Sequence, residues 1–194
     1  MHDDHEDTLP HPIPVRPTHG DLAADRTRAR AEAGGGAPAG RAGEVESSVI
    51  GLVACSAQKL DHAAPARELY GSPLFRRSLA YAEMRCARVY VLSARHHLVT
   101  LDTVIEPYEQ RLGSTKRERR RWACVVAAAI ETRHGHDVQL LLLAGREYTA
   151  PLIQEVAHWW PVGAWRERIT LPLAGLQVGE RLRWLNEQLA RSAA

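Results

Sequence analysis

The chain has 194 residues, 45% of them apolar, and its 25 Lys and Arg residues nearly balance 23 Asp and Glu residues. This length suits one domain with an appendage, and the balance of charge does not mark the chain as a whole as a nucleic-acid binder. No run of about 18 apolar residues is present, so we expect no membrane span. The three cysteines are too few for a disulfide framework, and the N-terminus lacks the pattern of a secretory signal. We therefore expect a cytoplasmic protein.

Residues 1–46 are predicted to be a disordered tail. They mix Asp, His, Pro, Ala, Gly and Arg, include three consecutive glycines at 34–36, and show no apolar periodicity. Such a composition cannot bury enough apolar surface to offset the entropy of ordering. The pattern changes at Ser47, and residues 47–194 are predicted to form a single α/β domain.

Four short apolar runs in this domain are typical of strands that are buried on both faces. The fourth run is shorter and precedes Pro172, which favours a position near the edge of a sheet. The four predicted strands span residues 48–54, 88–92, 138–144 and 168–171.

Helical patterns lie between and after the predicted strands. Ser72 and Pro73 form an N-cap and a first-turn proline, and apolar residues over 75–86 recur on one helical face. Further helices are predicted to begin at Ser114 and to span 149–158 and 178–191. Strands that alternate with helices imply crossover connections, and hence a mostly parallel sheet with helices on both faces.

The predicted strands end in small and polar residues. Ligands of open parallel sheets bind outside the carboxyl ends of the strands, and small residues there allow a close approach to backbone amides. Tight turns favour Ser and Gly in any case, but three of these endings also have a cation close by. The sequence therefore predicts a binding site here, with Cys55, Ser56, Lys59, Ser93, Arg95, Gly145 and Arg146 as its residues.

Residues 98–112 are predicted to form a long irregular loop, and such loops in compact domains are often functional. Asp102 or Glu106 could orient or activate a water molecule, and Tyr108 could stack on a planar ring. The alternative is that Pro107 rigidifies a loop whose acidic side chains are simply solvated.

Other reactive residues admit two interpretations each. Cys55 could be a nucleophile with His96 as its base, or a small apolar residue at the end of a buried strand. The basic run 116–121 could contact phosphates, or form a solvated helix face. His96 and His97 are adjacent and lack a third ligand at suitable spacing, so we predict no metal site and no cofactor.

A set of motifs resembles an uncharacterised bacterial, actinobacterial and phage domain family over about residues 48–186. The family carries CS-xx-K, A-x-x-L-Y-x-S-x-L-F and LSA-[KR]-HG motifs, then PY, and later L-x-G-x-x-x-G-x-x-L-x-W-L. These motifs correspond here to residues 55–59, 66–75, 92–96, 107–108 and 173–185. His97 is a departure, because the family usually has Gly at this position, where Gly would allow a tight backbone approach.

This family is similar to the uracil-DNA-glycosylase-like superfamily and to the matching domain of archaeosine synthase. The resemblance implies a three-layer α/β/α fold around a small, mostly parallel sheet, which we expect to have four strands. It also implies that the domain binds or acts on a nucleobase in a nucleic acid or nucleotide.

The leading hypothesis is an enzyme that hydrolyses the N-glycosidic bond of a base in DNA. Such an enzyme takes the base out of the stack and holds it in a pocket. Asp102 or Glu106 would steady the cationic sugar and its water, and His96 with Arg95 would stabilise the departing base. Ser56, Lys59 and Tyr70 would line the pocket or hold phosphate, and Tyr108 would stack on the base.

Two alternatives stay open. One is a non-catalytic module that binds a nucleotide or a nucleic acid in the same crevice, and exposure of both Asp102 and Glu106 to bulk solvent would favour it. The other is a hydrolase of a free nucleotide or nucleoside, which the modest net charge favours over a duplex partner. DNA or a nucleotide is the expected partner in every case.

Overall fold

The structure of the protein is a computed structural model that describes residues 49–192. The predicted tail over 1–46 lies outside the described residues. No helix within 49–192 is long and apolar enough to cross a membrane. The strands are β1 (Val49–Ala54), β2 (Ala64–Pro65), β3 (Arg88–Ser93), β4 (His97–Thr100), β5 (Val104–Ile105), β6 (Gln139–Leu143) and β7 (Ile169–Thr170). The helices are α1 (Ala66–Leu69), α2 (Pro73–Arg85), α3 (Lys116–His134), α4 (Arg146–Val156), α5 (Trp165–Arg168) and α6 (Val178–Ser192), with a 3-10 turn at Ala157–Trp159.

A five-stranded sheet in the order β4–β3–β1–β6–β7 forms the centre of the fold. Strands β3, β1, β6 and β7 are parallel, and β4 is antiparallel to β3. Strands β2 and β5 form a separate antiparallel pair. The prediction of a mixed α/β fold with a mostly parallel sheet is confirmed, but the predicted number of four strands is wrong.

The extra strand, β4, lies within the predicted long loop after β3. The chain turns back through residues 94–96, and β4 pairs with β3 so that His97 lies opposite Ser93. Leu98 and Val99 of β4 are buried on opposite faces of the sheet, so this short strand covers one edge. The prediction missed β4 because two apolar residues are too few for a periodic pattern.

Successive residues of the central strands point to opposite helical layers. In β1, Ile50 and Leu52 pack in a cluster with residues of α3 and α4. Val53 instead packs in a cluster with residues of α2 and α6. Strands β3 and β6 alternate in the same way, so helices cover both faces of the sheet, as predicted.

The starts of the helices follow from local capping. Ser72 begins α2, since its hydroxyl accepts a hydrogen bond from the Phe75 N–H at 3.1 Å. Thr115 begins α3, one residue after the predicted cap at Ser114, because Thr115 and Glu118 form a reciprocal capping box.

Helix α4 begins at Arg146, directly after β6 and three residues before its predicted start. Pro151 therefore lies in the helix interior and not in the first turn. The first turns of α3 and α4 border one groove next to the end of β6. Both helices thus direct the positive ends of their dipoles towards the carboxyl end of the sheet.

Candidate functional site

Three buried hydroxyl groups form a hydrogen-bonded chain beneath the carboxyl end of the sheet. The Tyr108 hydroxyl lies 2.7 Å from Ser93 Oγ and 2.9 Å from the Tyr70 hydroxyl. Ser93 Oγ also accepts the backbone N–H groups of Arg95 and His96, at 3.2 Å and 2.9 Å. Because these bonds occupy both lone pairs of Ser93, its hydroxyl donates to Tyr108, and Tyr108 in turn donates to Tyr70.

These three residues support the site and do not line it. Tyr70 and Ser93 are 0% exposed and Tyr108 is 4% exposed, so none of them offers a free face to a ligand. Lys59 Nζ lies 4.4 Å from the centre of the Tyr108 ring, and the His96 ring meets the same ring edge-on at 5.2 Å. The predicted stacking of a base on Tyr108 does not fit this geometry, because protein side chains already cover the ring.

Cys55, at the end of β1, lies close to a further buried hydroxyl. Its Sγ is 3.4 Å from the hydroxyl of Tyr148. Burial, and then the proximity of Cys55, raise the pKa of Tyr108 and of Tyr148 above the usual tyrosine value. No hydrogen bond joins Cys55 to His96 within residues 49–192, so the predicted nucleophile and base are not paired. Cys55 packs against both hydrophobic clusters, as a small apolar residue would.

Two cavities share Cys55 and Tyr148 as lining residues. The larger, called the end cavity below, has a volume of about 340 Å³, and the smaller has a volume of about 240 Å³. Both are bordered by Ser56 and Glu147 as well. The end cavity is lined by Cys55, Ser56, Ala57, Lys59, Glu109, Gln110, Arg111, Leu112, Glu147 and Tyr148.

The predicted residues at the end of β1 do line the end cavity. Ser56 Oγ donates a hydrogen bond to the backbone carbonyl of Gln58 at 2.8 Å. Lys59 Nζ donates to the carbonyl of Ala57 at 3.3 Å, and it lies over the Tyr108 ring. These contacts hold a hydroxyl and an ammonium group at the mouth of the cavity.

Glu147 borders three openings at this end of the sheet. It borders the end cavity, the smaller cavity and a groove of about 760 Å³ between α3 and α4. A Cβ at Gly145 would lie 2.5 Å from both carboxylate oxygens of Glu147. The absence of a side chain at Gly145 leaves room for the carboxylate to fold back over the start of α4, and a larger residue there would require the Glu147 side chain to move. The predicted residue Arg146 borders the groove and not the end cavity.

Arg95 and His96 are both exposed in the turn after β3. The Arg95 guanidinium carbon is 6.0 Å from the centre of the Tyr108 ring. Desolvation, and then the charges of Arg95 and His97, lower the pKa of His96 below its usual value. His96 therefore offers a neutral imidazole at neutral pH. Neither residue lines the end cavity.

Asp102 lies at the amino end of the sheet, away from the other predicted site residues. Strand β4 runs antiparallel to β3 and so carries the chain back to that end. There Asp102 borders a pocket of about 700 Å³ together with Arg88, the first residue of β3. Its carboxylate is 3.2 Å from Arg67 Nε and its side chain is 86% exposed. Asp102 therefore cannot act on a ligand in the end cavity.

Glu106 is exposed and borders neither cavity at the carboxyl end. Within the described part of the chain, no hydrogen bond or ion pair holds its carboxylate. Both acids predicted from the sequence as catalytic residues are thus exposed to solvent, and neither lines the end cavity.

The sequence prediction did not single out several side chains that line the end cavity. Glu147 and Tyr148 follow two predicted residues at the end of β6, and that position is the only signal that the sequence offers. Gln110 is placed by a tertiary contact, since its Nε2 donates to the backbone carbonyl of Ala94 at 3.2 Å. The remaining residues of this kind are Glu109, Arg111 and Leu112.

No cluster of three or more His, Cys, Asp and Glu residues within 49–192 is arranged to hold a metal ion. The chemistry available at the carboxyl end is that of ammonium, guanidinium, carboxylate, amide and hydroxyl groups. These groups bind ligands through hydrogen bonds and charge.

A protein-family model matches residues 50–187, which is most of the described chain. The chain belongs to DUF6884, a family of unknown function. This family spans nearly the same residues as the uncharacterised family predicted over 48–186, and the prediction is confirmed at that level. No curated protein and no solved structure matches the chain. Membership of DUF6884 therefore carries no named activity to the end cavity.

Proposed function

We propose that this domain binds a nucleotide or a nucleobase of a nucleic acid in the end cavity, without cleaving it. The observation that supports the proposal is the meeting of three chain segments around one cavity: the end of β1, the start of α4 and the segment 109–112. The cavity volume of about 340 Å³ lies at the lower end of the range for small-molecule sites.

The lining of the end cavity suits the mixed polarity of a base edge. Lys59 and Arg111 supply donors, Glu109 and Glu147 supply acceptors, and the amide of Gln110 can supply both. Proteins that hold an extruded base recognise its pairing edge through hydrogen bonds of these kinds. The ring of Tyr148, 8% exposed, contributes an aromatic wall.

The proposal predicts that nucleoside 5′-monophosphates bind, and that Lys59 is part of the site. Titration of wild type by isothermal calorimetry and by ¹H–¹⁵N NMR should shift the amide signals of Ser56, Gln110 and Tyr148. Lys59→Gln should weaken binding about 10- to 150-fold, because one charge-assisted hydrogen bond contributes about 1.5–3 kcal/mol. Arg191→Gln, which removes an exposed cation near the end of α6, is the matched control. Absence of binding, or equal affinity of the Lys59 variant and the control, would refute this proposal.

A second candidate is hydrolysis of an N-glycosidic bond, with Glu147 in the role predicted for Asp102 or Glu106. The observation that favours it is that Glu147 is shared by both cavities and the groove, so one carboxylate faces any ligand bound there. A carboxylate can steady a cationic sugar and orient its water. The likeness to the uracil-DNA-glycosylase-like superfamily belongs to this candidate alone.

Glu147→Gln separates the two candidates. It retains the shape of the side chain and an acceptor oxygen but removes the carboxylate charge. If the domain only binds, the variant should hold a phosphorylated ligand at least as well as wild type, since one negative charge is gone. If it cleaves, wild type should release free base from modified or unmodified DNA and the variant should not. The control for both assays is Glu187→Gln, an exposed residue of α6.

A further inference from the structure

A groove of about 760 Å³ runs between the first turns of α3 and α4. Four of its lining residues are cations: Lys116, Arg119, Arg120 and Arg146. Because Glu147 borders both the groove and the end cavity, the two adjoin each other. We call this groove with its four cations the basic groove.

Most of this positive charge is not neutralised within residues 49–192. Arg120 is paired with Glu155 at 2.9 Å, whereas the Arg119 side chain donates to the uncharged carbonyl of Gly113 at 2.7 Å. No ion pair holds Lys116 or Arg146 in that part of the chain. Of the residues that line the groove, Glu147 alone is acidic.

Helix stability does not explain these cations. Lys116 and Arg146 are the first residues of α3 and α4, where the positive end of the helix dipole disfavours a cation. An anion in the basic groove would interact favourably with both helix ends and with the cations together.

The net charge of the whole chain, +2, does not reveal this excess of positive charge in the folded domain. Residues 1–48 contain nine Asp and Glu but five Lys and Arg, whereas residues 49–194 contain 20 Lys and Arg but 14 Asp and Glu. The folded domain is therefore basic, although the chain as a whole is nearly neutral.

We propose that the basic groove binds the sugar-phosphate backbone of a single-stranded nucleic acid while one of its bases occupies the end cavity. This inference rests on the proposed function and extends it from a mononucleotide to a polynucleotide strand. The axes of two packed helices lie about 8–10 Å apart. A groove between two such helices therefore suits a single nucleic-acid strand better than a duplex. A base can also enter the end cavity only when it is unpaired.

The inference is tested by comparing a groove variant with a control of equal charge change. The groove variant is Lys116→Gln/Arg146→Gln, and the control is Arg183→Gln/Arg191→Gln, which changes two exposed residues of α6. Neither groove substitution should lower the melting temperature, because each removes a cation that opposes a helix dipole. The probes are a labelled ten-nucleotide single strand, the same sequence as a duplex, and a nucleoside monophosphate.

Salt dependence gives the expected magnitudes. Because Arg120 is already paired with Glu155, we expect three phosphate contacts, from Lys116, Arg119 and Arg146. Each contact contributes about 0.7 to the slope of log affinity against log salt concentration, so single-strand affinity should fall about 18-fold between 50 and 200 mM salt. The groove variant retains one of these contacts and should lose only about threefold. It should bind the single strand more weakly than wild type at 50 mM salt, and the control should match wild type. Monophosphate binding should be the same in all three proteins.

Several outcomes would overturn the inference and leave the proposed function intact. One is a single strand that binds no more tightly than the monophosphate, or equally well to the groove variant. Others are a duplex, or a polyglutamate peptide of similar charge, that binds as tightly as the single strand. If wild type binds neither the monophosphate nor the strand, the proposed function fails together with the inference.

Discussion

Replacement of Tyr108 by Phe tests the hydroxyl chain that fixes the carboxyl end of the sheet. The substitution removes the hydrogen bonds of 2.7 Å to Ser93 and 2.9 Å to Tyr70, and leaves the ring in place. Each such bond contributes about 0.5–1.5 kcal/mol net. Ser93, 0% exposed, is also left with a buried donor that has no acceptor, which costs about 1–3 kcal/mol.

We therefore expect Tyr108→Phe to lower the free energy of unfolding by about 3 kcal/mol. For a domain of this size the melting temperature should fall by about 6–12 °C. Urea unfolding followed by tryptophan fluorescence is a suitable assay, since Trp122 donates its indole N–H to the Ser93 carbonyl at 2.9 Å. Tyr70→Phe should cost less, because its hydroxyl takes part in one of the two bonds.

The matched control is Tyr81→Phe. Tyr81 is buried to a similar degree, but its hydroxyl makes no hydrogen bond within residues 49–192, so this change should alter stability by less than about 0.5 kcal/mol. If Tyr108→Phe is no more destabilising than Tyr81→Phe, the hydroxyl chain does not hold the site as the distances indicate. A double-mutant cycle with Ser93→Ala would then measure any coupling directly.

Three further predictions concern the backbone strain at His97, the dependence of stability on pH, and the role of Asp102. His97 has a φ of 62°, and relief of about 1–2 kcal/mol of backbone strain exceeds the entropy cost of introducing glycine. His97→Gly should therefore raise the free energy of unfolding by about 0.5–1 kcal/mol, as measured by urea unfolding. A loss of stability would contradict this prediction. Burial raises the pKa of Cys86 from 9.0 to about 11, and it raises the pKa of Tyr70, Tyr108 and Tyr148 above the usual tyrosine value. The unfolded chain therefore loses these protons first, so the urea midpoint should begin to fall above about pH 9 and fall more steeply above about pH 10. A midpoint that falls no more steeply above about pH 10 than below it would count against the buried tyrosine network. Asp102→Asn breaks only an exposed ion pair and should change stability by less than about 1 kcal/mol and ligand binding not at all; weakened binding would place Asp102 in the site after all.

The sequence was most informative where apolar runs were long. The runs over 48–54 and 138–144 gave β1 and β6 within a residue or two, because strands buried on both faces need continuous apolar sequence. The helix after Ser72 was predicted equally well, because Ser72 is an N-cap and Pro73 is the first helical residue. Strand β4 was not, since two buried residues, Leu98 and Val99, carry no detectable period.

Because the sequence prediction lacked β4, it also placed Asp102 at the wrong end of the sheet. Without that strand, Asp102 and Tyr108 belong to one loop that could lie anywhere above the sheet. With it, the chain crosses to the amino end, leaves Asp102 there in an ion pair with Arg67, and returns to place Tyr108 against Ser93. A strand of four residues thus decides which side chains of one segment can meet a ligand.

His97 links the family resemblance to this geometry. The resemblance described from the sequence implies that Gly is usual at this position, and the sequence alone identified the departure without showing what it affects. In the structure His97 adopts the left-handed conformation that follows a three-residue hairpin turn, and a histidine tolerates this conformation better than a β-branched residue would. The hairpin therefore forms with either residue. This turn also places the backbone N–H groups of Arg95 and His96 where they donate to Ser93 Oγ. The hydroxyl chain at the carboxyl end of the sheet therefore forms with His97 in place of glycine, and the end cavity does not require a glycine at this position.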